Sequence, residues 1–197
     1  QGAIADYNKA IAINPQHADS YNNRGLAKRK LKDYQGAIAD YSKALEIDPK
    51  DLIALVNRSN AKMLLGDNKG AIIDSTMAIN VGPDSFFAYF NRGSAKYNLG
   101  DDKGAILDYT KALEIDPEHS ATLLYLGDSK LNLSNYHGAI ADYSKAIEIN
   151  PKYADAYYNR GIAKARSSDH YGACLDMERA AGLGIKNAEN LLRQNCL

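Results

Sequence analysis

Gly36-Ala37-Ile38-Ala39-Asp40-Tyr41-Ser42-Lys43-Ala44-Leu45-Glu46-Ile47-Asp48-Pro49 reads as one helix followed by its own stop. Ala37, Tyr41 and Ala44 recur at helical spacing, so they share one face. Pro49 lacks an amide hydrogen and disfavours helix in the residue before it, which ends the segment. Gly104 to Pro117 and Gly138 to Pro151 repeat the pattern almost residue for residue. The Gly-Ala-Ile opening stands at Gly2, Gly36, Gly70, Gly104 and Gly138, and Gly172-Ala173-Cys174 continues it, always 34 residues apart. Asp6, Asp40, Asp74, Asp108, Asp142 and Asp176 keep the same interval, as do Pro15, Pro49, Pro83, Pro117 and Pro151. Because the period never breaks, no domain boundary is visible.

The remainder of each period holds a second helix. From Leu52 to Leu65, apolar residues fall at helical spacing, with Ala54, Leu55, Ala61, Leu64 and Leu65 available for packing. Gly66 supplies a left-handed stop and Asp67 a good N-cap for the helix from Asn68 to Val81. Asp33, Asp101, Asn135 and Asp169 repeat that cap. Connections this short make neighbouring helices antiparallel.

A helix–turn–helix period of this length, with Tyr21, Gly25, Ala37, Tyr41, Ala44 and Pro49 at its signature positions, resembles the tetratricopeptide repeat (TPR). The resemblance covers essentially the whole chain. It departs from the family pattern at Arg24, Arg58, Arg92 and Arg160, where the family has Leu. It also departs at Lys28, Lys62, Lys96, Lys130 and Lys164, where the family has Tyr. The implied fold is an all-α solenoid of stacked helix pairs forming a right-handed superhelix. Residues 1–17 are a truncated unit holding only its second helix. Full units span 18–51, 52–85, 86–119, 120–153 and 154–185, and 186–197 form a capping helix. The opening Gln1-Gly2-Ala3, without an initiator Met, reads as a fragment that begins inside a unit, so compartment is left open.

Composition narrows the function. Lys plus Arg and Asp plus Glu are both 24 in 197 residues, which argues against nucleic acid or an anionic membrane as the main partner. No apolar run is long enough for membrane insertion as a helix. Enzyme motifs are missing. The six periodic Asp are spread one per unit and make no dyad, His17, His119, His137 and His170 have no ligand spacing, and no phosphate-binding glycine loop occurs. The reading is non-enzymatic, with no cofactor and no metal.

The periodic residues are structural first. Tyr7, Tyr41, Tyr109 and Tyr143 fill gaps between units. Across each Pro turn, Asp40 and Arg58 are equally distant from Pro49, as are Asp6 and Arg24 from Pro15, Asp74 and Arg92 from Pro83, and Asp142 and Arg160 from Pro151. That symmetry predicts a ladder of ion pairs between units. Asp108 faces Leu126 instead. Cys174 and Cys196 are about equally far from the Gly182-Leu183-Gly184 turn. Either they form a disulfide, which would favour an oxidising compartment, or they remain separate thiols.

The TPR resemblance also implies a concave groove lined by first helices. Carried onto this chain, its lining includes Ile53, Val56, Asn60 and Met63, then Phe87, Phe90 and Tyr97, then Leu124, Asp128 and Leu131, then Tyr158. Asn23, Asn57, Asn91 and Asn159 run alongside at the repeat interval. These amides either hold a peptide backbone or bond neighbouring helices. The apolar stripe either meets a partner or is buried by curvature. The expected role is a protein-interaction scaffold that holds a peptide or helix with apolar anchors in the groove. Self-assembly into a homo-oligomer and service as the substrate-recognition arm of a larger enzyme are the alternatives. The acidic-tail clamp of the family, which needs Lys then Asn, finds Asn22 and Leu26, so acidic chaperone tails are not expected.

Overall fold

The computed structural model describes residues 2–195, with side chains through 192. Among these residues there are twelve helices and no strands. They fall into two compact units, residues 1–100 and 101–197.

Unit 1 contains α1 (Gly2–Ile13), α2 (Ala18–Lys30), α3 (Tyr34–Ile47), α4 (Leu52–Leu64), α5 (Asn68–Val81) and α6 (Phe86–Asn98). Successive helices pack on each other, and the first helices α2, α4 and α6 also touch in order. The second helices are capped as their sequence requires. Asp33 accepts the Gly36 amide at 2.9 Å and Asp67 accepts that of Gly70 at 2.9 Å, each cap stabilising by about 1 kcal/mol. Ala44, Leu45, Ala54, Leu55, Ala78 and Ala88 form one core. Tyr41 is wholly buried beside Ala37 and Ala61. A β-carbon on Gly25 would lie 2.7 Å from the Tyr41 ring, so the glycine is what lets α2 and α3 close over that tyrosine.

Unit 2 contains α7 (Asp102–Ile115), α8 (Ser120–Asn132), α9 (Tyr136–Ile149), α10 (Ala154–Arg166), α11 (His170–Gly182) and α12 (Lys186–Asn195). Asp101, Asn135 and Asp169 cap α7, α9 and α11. His119 caps α8 through Nδ1, which accepts the Thr122 amide at 3.2 Å. Leu123, Leu124, Ala139, Tyr143, Ala146 and Ile147 lie in the core. Gly127 faces Tyr143 as Gly25 faces Tyr41, with an added β-carbon 2.5 Å from the ring. Ala188 of α12 is buried against Met177 and Ala180, so α12 covers the apolar side of α11.

The turns between paired helices place Lys32, Ser134 and Ser168 at φ of 64°, 60° and 70°. Gly66 and Gly100 hold the same place in their repeats at 84° and 80°. Only glycine adopts this region without steric cost, so the three other residues sit there under strain.

An ion-pair ladder exists, but its partners differ from the expected ones. Arg24 grips Asp40 through Nε at 2.9 Å and Nη2 at 2.6 Å, and Lys28 adds a contact at 2.7 Å. Arg58 and Lys62 do the same to Asp74, and Arg160 and Lys164 to Asp176. Each trio therefore joins the two helices of one pair. Both turns flanking a first helix place residues symmetrically, so sequence distance cannot choose between them. The choice follows depth: the Asp74 side chain is 1 % exposed between its own two helices, where a bidentate guanidinium can reach it. The link to the preceding pair is a hydrogen bond to a neutral side chain. The Nη1 of Arg24, Arg58, Arg92 and Arg160 donates to Asn8, Ser42, Thr76 and Ser144, each two residues beyond the expected Asp. Leu126 replaces the arginine beside Asp142, which keeps Lys130 at 2.6 Å. Burial raises the Asp142 carboxyl above the usual range, against the pull of Lys130.

Candidate peptide-binding surfaces

In unit 1, Ile53 on α4 and Phe87 on α6 are 64 % and 62 % exposed. They hold the same place in successive repeats, at the starts of adjoining first helices. Phe86 braces Phe87 edge-on, with centroids 5.2 Å apart, and stacks on Phe90 at 5.9 Å. Val56, Met63, Phe90 and Tyr97 are half-buried. Val56 packs against the core of Leu55 and Ala88.

The asparagine row bonds neighbouring helices. Asn57 donates to Asn22 Oδ1 at 3.1 Å. Asn91, 3 % exposed, donates to the Val56 carbonyl at 3.2 Å. Asn60 accepts from Arg29 Nη1 at 2.6 Å. Asn23 is exposed. Asn57 and Asn91 thus tether α2, α4 and α6.

Unit 2 presents different chemistry on its first helices. Leu124 is only 7 % exposed and belongs to the core with Leu123 and Tyr143, so it lines no open face. Helix α8 packs against α7, α9 and α10, and this burial on several sides takes in Leu123, Leu124 and Leu126 together. Leu131 is half-buried on the same core. Tyr158 packs toward Met177 and Ala180.

Asp128 is the polar centre of unit 2. Its Oδ1 accepts from the Tyr143 hydroxyl at 2.7 Å and from Asn159 Nδ2 at 2.8 Å, joining α8, α9 and α10. Burial raises the carboxyl above its usual range. The two hydrogen bonds oppose that rise, and nearby Asp155 adds to it. Tyr125 is 36 % exposed and stacks on Tyr109 at 6.0 Å. The Tyr153 phenol is pushed up to about 12, first by partial burial and then by nearby Tyr125, Asp155 and Asp128.

Sequence reasoning did not anticipate a cavity of about 350 Å³ between α10, α11 and α12, lined by Ile162, His170, Ala173, Cys174 and Met177. It forms where the closing helix leans on the last pair, a placement with no signal in the repeat. Cys196, the expected partner of Cys174, lies outside the described residues. Among the described residues, no group of three or more His, Cys, Asp or Glu is placed to hold a metal, and no helix is long and apolar enough to cross a membrane.

Comparison with known proteins agrees with this geometry. The tetratricopeptide repeat model matches residues 18–51 and 86–119, and a second TPR repeat model matches 1–31 and 127–167. Among solved structures, YrrB, described as a TPR protein with an unusual peptide-binding site, superposes with a TM-score of 0.80 at 22 % identity, covering 95 % of this chain and 97 % of its own. The MamA protein gives 0.77 at 24 % identity, covering 91 % and 96 %. MamA from Desulfovibrio magneticus RS-1 gives 0.79 at 18 % identity, covering 84 % and 94 %. No curated protein matches the chain. With its unbroken period, its capped helix pairs and two matching repeat models, the chain is a tetratricopeptide repeat protein, of a family whose fold generally serves as a protein-interaction scaffold.

Proposed function

We propose that the first-helix face of unit 1 holds a peptide or helical segment of another protein. The observation that carries this reading is the pair Ile53 and Phe87, two large apolar side chains left about two-thirds exposed on adjoining helices. Isolated exposed apolar residues are common, but two at one repeat phase on adjoining helices, one of them braced by Phe86, are of the kind that meets a partner. Asn57 and Asn91, engaged between helices, hold the frame. The polar surroundings, Asn23 and Asp19, form a solvated rim.

The test is the double substitution Ile53→Asp with Phe87→Asp, compared with wild type as bait under identical capture conditions. The expected outcome is unchanged helical content with loss of proteins that the wild type retains. Phe87 is the better probe than Phe90, whose ring is half-buried and stacked on Phe86. Identical capture by both baits would overturn the reading. Concentration-dependent light scattering that disappears in the double variant would reassign the patch to contact between copies of this chain.

A further inference from the structure

Three arginines show how this chain holds a carboxylate. Arg24, Arg58 and Arg160 each give Nε and Nη2, one edge of the guanidinium, to an aspartate, and Nη1 to a neutral oxygen. Arg29 on α2 repeats half of that pattern. Its Nη1 donates to the neutral Oδ1 of Asn60 at 2.6 Å. Its Nε is buried without a partner, and no carboxylate pairs with Arg29 among the described residues. The side chain is half-buried, with Nη2 also unpartnered and reaching solvent. A second group points the same way. Tyr41 is wholly buried and its hydroxyl has no hydrogen-bond partner. Its ring lies against Gly25, one helical turn before Arg29 on α2. Burial raises the Tyr41 phenol above its ordinary value and Arg29 pulls against that rise, so the two groups are close. Tyr143, at the same repeat position, does have an acceptor, the Asp128 carboxylate at 2.7 Å. In the repeat of Tyr41, Leu26 stands at the position of Asp128, and Arg29 at the position of Leu131. One repeat therefore supplies the acid itself. The other supplies donors for an acid, a guanidinium edge and a buried hydroxyl, both costly to leave unmade.

We infer that Arg29, with the Tyr41 hydroxyl behind it, binds the carboxylate of an aspartate or glutamate side chain in a protein segment lying on unit 1. The carboxylate takes the Nε–Nη2 edge, in the geometry that Arg24 gives Asp40. The flexible Arg29 side chain turns slightly to bring Nε and the hydroxyl within its reach. The inference rests on the proposed scaffold role and adds charge and spacing to it. Asn60, which holds Arg29, lies seven residues after Ile53 on α4, two turns along one face and about 10 Å away. An extended segment spans that distance in about three residues, so an apolar side chain and an acid at that spacing fit Ile53 and Arg29 together.

The experiment uses the full chain and three labelled short serine peptides, each with a central residue flanked by leucines at that spacing, read by fluorescence anisotropy at low and high salt. One carries glutamate and one glutamine, both with blocked ends, and the third carries glutamine with a free C-terminus. The glutamate peptide is expected to bind the wild type at least about tenfold more tightly than the blocked glutamine peptide, a preference that shrinks as salt screens it. Arg29→Gln should abolish the preference while melting as a folded protein. Arg29→Lys should keep only part of it, since an ammonium lacks the planar fork. Lys30→Gln removes the same charge from an exposed neighbour and should leave the preference intact. Tyr41→Phe should weaken the glutamate peptide while melting as a folded protein. Equal binding of the two blocked peptides overturns the inference, as do an unchanged preference in Arg29→Gln, an equal fall in Lys30→Gln, an unchanged affinity in Tyr41→Phe, or tight binding of the free-ended peptide alone. If the blocked peptides bind equally and both are lost from the Ile53→Asp, Phe87→Asp variant, the scaffold reading survives and the carboxylate site falls. If no peptide binds, the carboxylate site falls, and the capture test decides the scaffold reading by itself.

Discussion

The first-helix faces of the two units rest on the same frame and offer opposite chemistry. In unit 1 the face has exposed Ile53 and Phe87, with Asn57 and Asn91 tied up between helices. In unit 2 the positions corresponding to Ile53 and Phe87 are Ala121 and Asp155, Leu124 is buried, and Asp128, held by Tyr143 and Asn159, takes the centre. The frame is common to both: a glycine closes on a buried tyrosine, an aspartate or asparagine caps the second helix, and an arginine–lysine–aspartate trio locks a pair. Conserving the period therefore costs a repeat protein nothing in binding diversity. On α4 the residues that hold helices together, Asn57 and Arg58, and the exposed Ile53 are different residues of one helix.

The strongest way to break the comparison is to attack the shared frame. Asp74→Ala in unit 1 and Asp176→Ala in unit 2 each strand two partly buried cations, and each should cost about 3–5 kcal/mol in denaturant unfolding. A large loss in one unit and none in the other would show that the frames are not equivalent. Next in size, Gly25→Ala and Gly127→Ala push a β-carbon into a buried ring, with an expected cost of about 1–3 kcal/mol each. Little effect at either position would mean that the tyrosine has room to move. Smaller and opposite in sign, Lys32→Gly and Ser134→Gly relieve left-handed backbone and should stabilise by roughly 0.5–1 kcal/mol in thermal melts.

The finest contrast is in pH, and it separates the two faces. The folded protein holds the Asp128 proton more firmly than an unfolded chain does, because burial raises its carboxyl. Ionisation therefore costs the folded state, beginning near the ordinary carboxylate value of about 3.9 and reaching its full extent above the raised folded value. Asp128→Asn removes that cost. Its melting temperature should match the wild type near pH 4 and exceed it at neutral pH. An advantage that is the same at both pH values would detach it from the charge. The Ile53→Asp, Phe87→Asp variant should show no such gain on going from acid to neutral pH.

Much of this molecule was legible in the residues. The period, the capping aspartates, the proline stops and the small residue at Gly25 are local chemistry, and local chemistry is written in order along the chain. The ladder was legible in its residue types but not in its pairing. Arg58 stands at similar distances from Asp40 and Asp74, and only the depth of Asp74 between α4 and α5 decides. Exposure was legible in part. Ile53 and Phe87 are exposed, whereas Leu124, at the repeat position of half-buried Val56 and Phe90, is buried, because exposure depends on which neighbours cover a helix face.

The amino-acid order alone determined an all-helical repeat with its turns, caps and phase, since each of these is set by contacts within a few residues. The tertiary structure decided which carboxylates have cations, which asparagines tether helices, and which apolar side chains remain in water. Those outcomes depend on burial and on side chains brought together from distant turns, and burial belongs to the assembled helices, not to any one of them.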